Sequence, residues 1–247
     1  LERAAARAQA RGGLAAAAAF RERAAALTPE RSRRPQRALA AAQTKYEAGA
    51  LDDALALLAN AEMGAVDDLL RGRVHLLRAQ VAFASRRGSE APPLLLKAAR
   101  ELESVDANLA RTTYLEAFAA ALFAGRLARG GGVVEVAEAV RAGSPPPHCE
   151  GPSDLLLSGL AIRFTEGYSA GVPALRRALD GFRNVEGLTA RDVRWHWLAC
   201  RLAPDLWDDE LWYELATRGL RVARDTGALR VLPIAATYRA SLHVHGG

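Results

Sequence analysis

Leu51-Asp-Asp-Ala-Leu-Ala-Leu-Leu-Ala-Asn-Ala61 places Leu51, Ala54, Leu55, Leu58 and Ala61 at steps of three and four residues. That spacing gathers them on one face of an α-helix, whereas a strand would need alternation. The face is wide enough to require a partner helix. It also recurs. A shift of 37 positions pairs Leu14 with Leu51, aligns Ala17 with Ala54 and Ala91, and aligns Ala24 with Ala61 and Ala98. The same shift matches Leu39 with Leu76, Ala42 with Ala79, Gln43 with Gln80 and Tyr46 with Phe83, while the step from Leu51 to Gly88 breaks the apolar series. Further along, Gly171 and Ala178, then Ala216 and Ala223, keep the offset of seven residues at longer intervals.

A period of this size marks a repeat architecture, in which a unit too small to bury its own apolar face is covered by the next unit. Further helical stripes run through Leu70, Val74, Leu77, Val81 and Ala84, through Leu115, Phe118, Ala119 and Leu122, and through Leu156, Leu157, Leu160, Ala161 and Phe164. Turn chemistry separates them at Gly12 and Gly13, Thr28 and Pro29, Gly49, Gly88, residues 130–132, residues 144–152 and Gly227. The expectation is an all-α fold, a superhelical solenoid of antiparallel helix pairs, with six pairs and a truncated seventh. Residues 1–143 form the N-terminal repeats, 144–152 a proline-rich loop and 153–247 the C-terminal repeats, together one continuous repeat domain.

Composition agrees. Of 247 residues, 50% are hydrophobic, 54 are Ala and 31 are Arg, while aromatics make up only 6%. Ala, Leu, Arg and Glu lose little entropy in helices, and the β-branched and aromatic residues that favour strands are scarce. Such a chain has ample material for a buried core and is not read as disordered. No stretch approaches the roughly 18–20 apolar residues of a membrane span, so no membrane partner is expected. Two cysteines, Cys149 and Cys200, cannot staple a chain of this length and point to a reducing, cytoplasmic setting. The net charge of +5 is local: residues 1–37 carry nine arginines against three acidic residues, a balance of +6. Arg31, Arg33, Arg34 and Arg37 form a weak basic patch around Pro35, read as a solvated turn; without interleaved aromatics, direct DNA contact is not expected from it.

Small residues seven apart, an aromatic, and the ending Leu27-Thr-Pro29 resemble the tetratricopeptide repeat, although its opening Trp is missing and the units here are longer. Residues 1–8 (LERAAARA), 13–20 (GLAAAAAF), 91–96 (APPLLL), 206–210 (LWDDE) and 242–245 (LHVH) resemble the helical region of large ATP-binding LuxR-type transcriptional regulators of actinobacteria, similar in plan to the maltose-regulon activator type. That resemblance implies a sensor and protein-interaction segment. In the family's plan it lies between an upstream ATPase and a downstream helix-turn-helix DNA-binding domain. Its partners would be those domains, a small-molecule effector or another protein, with oligomers allowed. Neither Lys45 nor Lys97 is preceded by Gly, so no phosphate loop occurs here. No cofactor is expected in this segment, ATP belonging to the absent domain. The chain is therefore expected to be a non-enzymatic fragment of a longer regulator. The alternative is a structural or peptide-binding adaptor scaffold without a small ligand.

The resemblance to tetratricopeptide arrays, whose first helices line the inner groove, implies that Gln43, Tyr46, Glu47, Gln80 and Arg163 are groove residues. Trp195, Trp197, Trp207 and Trp212 fall within 18 residues. They pack between two long helices or line an effector pocket, with His196 and Arg201 fixing ligand orientation. Metal and nucleophile readings are weaker. His148 and Cys149 are adjacent with no further Cys or His within ten residues, and His243 and His245 are two apart on a helix. Cys200 reads as a packed thiol rather than a nucleophile based on His196, and Asp208, Asp209 and Glu210 suit a helix N-terminus.

Overall fold

The computed structural model describes residues 1–64, 67–86, 89–143, 151–184, 190–225 and 232–246. His148, Cys149, Gly88 and Gly227 lie outside the described residues, as do residues 144–150 of the proline-rich loop. Among the described residues the chain is all-helical, without a strand. The described residues form thirteen α-helices: α1 (Glu2–Ala10), α2 (Leu14–Ala26), α3 (Arg34–Glu47), α4 (Leu51–Met63), α5 (Asp68–Arg86), α6 (Ala91–Leu102), α7 (Ala107–Ala124), α8 (Val133–Ala142), α9 (Pro152–Glu166), α10 (Tyr168–Arg183), α11 (Ala190–Leu202), α12 (Asp209–Asp225) and α13 (Leu232–Gly246). No described helix is long and apolar enough to cross a membrane. Two compact units are present, Leu1–Val136 and Ala137–Gly247.

In the first unit each helix from α1 to α6 packs on the next in sequence, ending at α7. The recurring small residues set this packing. Ala17 and Ala24 of α2, Ala54 and Ala61 of α4, and Ala91 and Ala98 of α6 are all buried. Between the members of each pair, four residues after the first, stand Leu58 in α4 and Leu95 in α6, both buried. Burying a leucine side chain stabilises by about 1.5–3 kcal/mol. The equivalent position in α2 is Arg21, which instead donates from Nη2 to Gln9 Oε1 at 2.8 Å and from Nη1 to Thr44. Of the predicted stripes, Leu55 and Ala84 depart by being exposed.

The recurrence extends to the backbone. The Gly12 amide donates to Gln9 O at 2.9 Å and the Gly13 amide to Ala8 O at 2.9 Å; 37 residues on, Gly49 donates to Tyr46 O at 3.0 Å and Ala50 to Lys45 O at 2.9 Å. This paired pattern satisfies the last carbonyls of a helix and needs a left-handed residue. Gly12 and Gly49 supply it with φ of 77° and 80°. Lys45 then pins three helices together, its ammonium 2.8 Å from both Glu22 of α2 and Asp53 of α4.

The second unit is built around the antiparallel pair α9 and α10. Three glycines let the two approach closely. A Cβ on Gly159 would lie 2.9 Å from Leu175 Cδ2, one on Gly171 2.6 Å from Arg163 Cβ, and one on Gly181 2.9 Å from Pro152 Cγ. Arg183 at the end of α10 forms a fork with Glu214 of α12, Nε donating to Oε2 at 2.6 Å and Nη2 to Oε1 at 2.9 Å. Phe182, Leu198, Leu202, Leu211 and Leu215 are buried among α10, α11 and α12.

Candidate functional site

The first helices of the expected pairs in the leading unit are joined by amide and carboxylate groups. Gln43 Nε2 donates to Glu47 Oε1 at 3.1 Å within α3, and Gln9 Nε2 reaches Glu47 Oε2 from α1 at 3.5 Å. Gln80 Nε2 on α5 donates to both oxygens of Glu116 on α7, at 3.0 and 2.8 Å. Tyr46 packs against the buried cluster of Ala42, Leu58 and Val74. Phe83, one repeat on from Tyr46, lies 6.2 Å from the ring of Phe123. Gln9, Arg21, Thr44 and Glu116 are the partners that the sequence reading did not single out. Their signal is spacing: Gln9 precedes Glu47 by 38 positions and Gln80 precedes Glu116 by 36, close to the repeat length.

A second polar cluster was also not anticipated. His75 of α5 stands between helices, with Nδ1 2.5 Å from Glu101 Oε2 of α6 and Nε2 3.4 Å from Glu62 Oε1 of α4. Arg78 holds the other oxygen of Glu62 at 2.7 Å.

Arg163 lies in the second unit, where Nη1 donates to Asp205 Oδ2 at 2.8 Å and the guanidinium covers the rings of Phe164 and Tyr168. Arg201 approaches the other oxygen of Asp205 at 3.5 Å. The four indoles have different surroundings. Trp195 and Trp212 are buried, and among the described residues neither Nε1–H has an acceptor. Trp197 is partly buried with its ring 6.4 Å from that of Trp195, Trp212 meets His245 at 5.5 Å, and Trp207 is 89% exposed. His196 Nε2 donates to Leu215 O at 2.8 Å. Burial is the main cause that lowers its pKa, the Leu215 carbonyl opposing and Arg218 adding to the shift, so the ring is held neutral.

Cys200 is buried, and desolvation pushes its thiol up to about 12. A thiolate is therefore disfavoured there. Asp208 Oδ1 accepts from the Leu211 amide at 3.0 Å, capping α12, while Asp209 and Glu210 are exposed in its first turn. His245 Nδ1 bonds Ser241 O at 2.8 Å, and His243 is exposed. Among the described residues no group of three or more His, Cys, Asp or Glu side chains is arranged to hold a metal ion.

Three arginines of the basic patch act on their own chain. Arg33 pairs with Glu30 at 2.6 Å. Arg34 Nε donates to Thr28 O at 2.7 Å, and Arg37 donates to Thr28 Oγ1 at 2.8 Å while pairing with Glu2 at 2.9 Å. Arg34 and Arg37 thus close the end of α2, and Arg31 alone of the four has no partner among the described residues.

Compared with known proteins, the chain matches no family model and no curated protein.

Proposed function

We propose that the chain is the sensor and protein-interaction segment of an ATP-dependent LuxR-type transcriptional regulator, a tetratricopeptide-like superhelix of stacked helix pairs. The observation that carries this reading is the 37-residue recurrence of buried alanines together with the matching helix-ending turns at Gly12 and Gly49. The successive packing of α1 to α7, and of α9 on α10, supports the same reading. In this reading an effector or partner shifts the packing of the array against an ATPase domain and so biases a closed-to-open equilibrium. A near-complete swing needs about 5 kcal/mol of differential binding.

The test is to sequence the gene on both sides of the segment encoding Leu1 to Gly247. A phosphate-loop ATPase upstream and a helix-turn-helix downstream are expected. Start and stop codons close to these ends would overturn the regulator reading.

A scaffold without a small ligand is favoured by a different observation: Gln80 and Glu47 are engaged between helices, and of the four indoles only Trp195 and Trp197 are neighbours, Trp212 meeting His245 and Trp207 standing exposed. A thermal-shift panel of candidate inducers separates the two, since a ligand at about 100 times its Kd raises stability by about 2.7 kcal/mol.

A further inference from the structure

Three aromatic rings stand exposed among the described residues of the second unit: Tyr168, Trp207 and Tyr213. The chain covers two of them itself. The Arg163 guanidinium carbon is 5.6 Å from the Tyr168 ring centroid, and that of Arg239 is 4.6 Å from the Tyr213 centroid. Trp207, 89% exposed, has no cation over it among the described residues. Indole is the best of the three aromatic faces for a cation.

Trp207 is also fixed in place. The preceding turn, Ala203–Leu206, is tied down at Asp205, whose carboxylate receives Arg163 at 2.8 Å and Arg201 at 3.5 Å and whose carbonyl accepts from the Tyr168 hydroxyl at 2.8 Å. On its other side Asp208 caps α12. Held between these, Trp207 adopts φ 56°, the one positive value at a non-glycine residue among those described. Asp209 and Glu210 follow, both exposed and neither ion-paired among the described residues.

We propose that Trp207, with Asp209 and Glu210, docks an arginine-bearing polypeptide segment of a partner protein. The guanidinium stacks on the indole, and the carboxylates that follow it in the chain attract its charge. Charge complementarity selects this occupant. An anionic ligand meets two carboxylates, and a purely apolar surface would strip them of water without replacing it. The inference does not depend on the regulator reading, because it rests on this one turn and its neighbours.

The test uses the 247-residue chain and a labelled nonapeptide alternating arginine with glycine, read by fluorescence anisotropy. Trp207→Ala should weaken binding roughly tenfold. Asp209→Asn combined with Glu210→Gln should weaken it several-fold and flatten its salt dependence. A lysine peptide should bind less tightly, and a citrulline peptide, isosteric but uncharged, should not bind. Trp207→Gly keeps the fold testable: it suits the left-handed backbone and should melt no lower than the parent, yet bind as poorly as Trp207→Ala. No binding at millimolar peptide, equal binding to Trp207→Ala, or equal binding of the citrulline peptide overturns the proposal. Sedimentation showing Trp207-dependent self-association would assign the surface to a second copy and overturn the partner assignment.

Discussion

The buried imidazole of His196 lies directly against Gly219. A Cβ added to Gly219 would come within 2.8 Å of His196 Cδ2 and 3.2 Å of Nε2. The ring has little room to retreat, because Nε2 is bonded to Leu215 O and Phe182 meets it edge-on at 6.0 Å. Gly219→Ala should therefore destabilise the second unit. The gain in helix propensity is about 1 kcal/mol, against about 1–3 kcal/mol for overpacking and a further ~1 kcal/mol for the disturbed hydrogen bond. A net loss of about 1–3 kcal/mol is expected in denaturant melts. An unchanged or raised midpoint would mean that the ring moves freely.

The same histidine makes stability depend on pH. Burial lowers its pKa in the folded chain below the ordinary 6.5, whereas the unfolded chain titrates at that ordinary value. Between the two values the unfolded state binds more protons, so stability rises with pH across this window. The full contribution is present above about pH 6.5 and is lost on acidification toward the folded pKa. His196→Gln retains a donor for Leu215 O but cannot titrate. The stability difference between parent and variant should shrink from pH 7.5 to pH 5 in paired thermal melts. A constant difference would show that His196 is not depressed.

The helical class and the small-residue period were legible in the sequence because alanine at Ala54 and Ala61 reports close helix approach by its size alone. Polar pairing was less legible. Gln80 and Glu116 are 36 residues apart on helices that are not neighbours in sequence, so their bond depends on how intervening helices pack. The tryptophan cluster was visible by composition, but its division was not. Trp195 and Trp207 differ in whether the chain at each is helix or left-handed turn, and that is fixed by the Asp205 and Asp208 contacts around the turn. Leu55 and Ala84 were read with the apolar stripes but are exposed, since an alanine-rich stripe offers little apolar contrast to orient a helix.

The buried-alanine phase can be tested within one helix. Ala54 of α4 has no exposed surface, whereas Ala56, two residues on, is exposed. Ala54→Leu forces three extra carbon atoms into the contact with α3 and α5 and should cost about 1–3 kcal/mol. Ala56→Leu should stay within about 0.5 kcal/mol of the parent. Ala17→Leu and Ala91→Leu, one period away on either side, should follow Ala54→Leu. Comparable effects at Ala54 and Ala56 would remove the case for a packing repeat.

The turns at Gly12 and Gly49 offer a sharper test, because the repeat predicts equal energies as well as equal geometry. Both residues are left-handed, both follow the same pair of helix-ending hydrogen bonds, and a Cβ on either would meet nothing within 4 Å. With no steric neighbour, the cost of alanine is that of the backbone conformation alone, about 1–2 kcal/mol. Gly12→Ala and Gly49→Ala should each lower stability by that amount, with values matching to within about 0.5 kcal/mol, and the double variant should be additive because the sites share no partner. Asn, which tolerates this conformation better, should recover part of the loss at both positions. The check is a set of chemical melts on the five variants and the parent. A loss at Gly49 without one at Gly12 would mean that the two turns share hydrogen bonds but not the same place in the cooperative unit, and the 37-residue period would then describe the sequence rather than the folding of this chain.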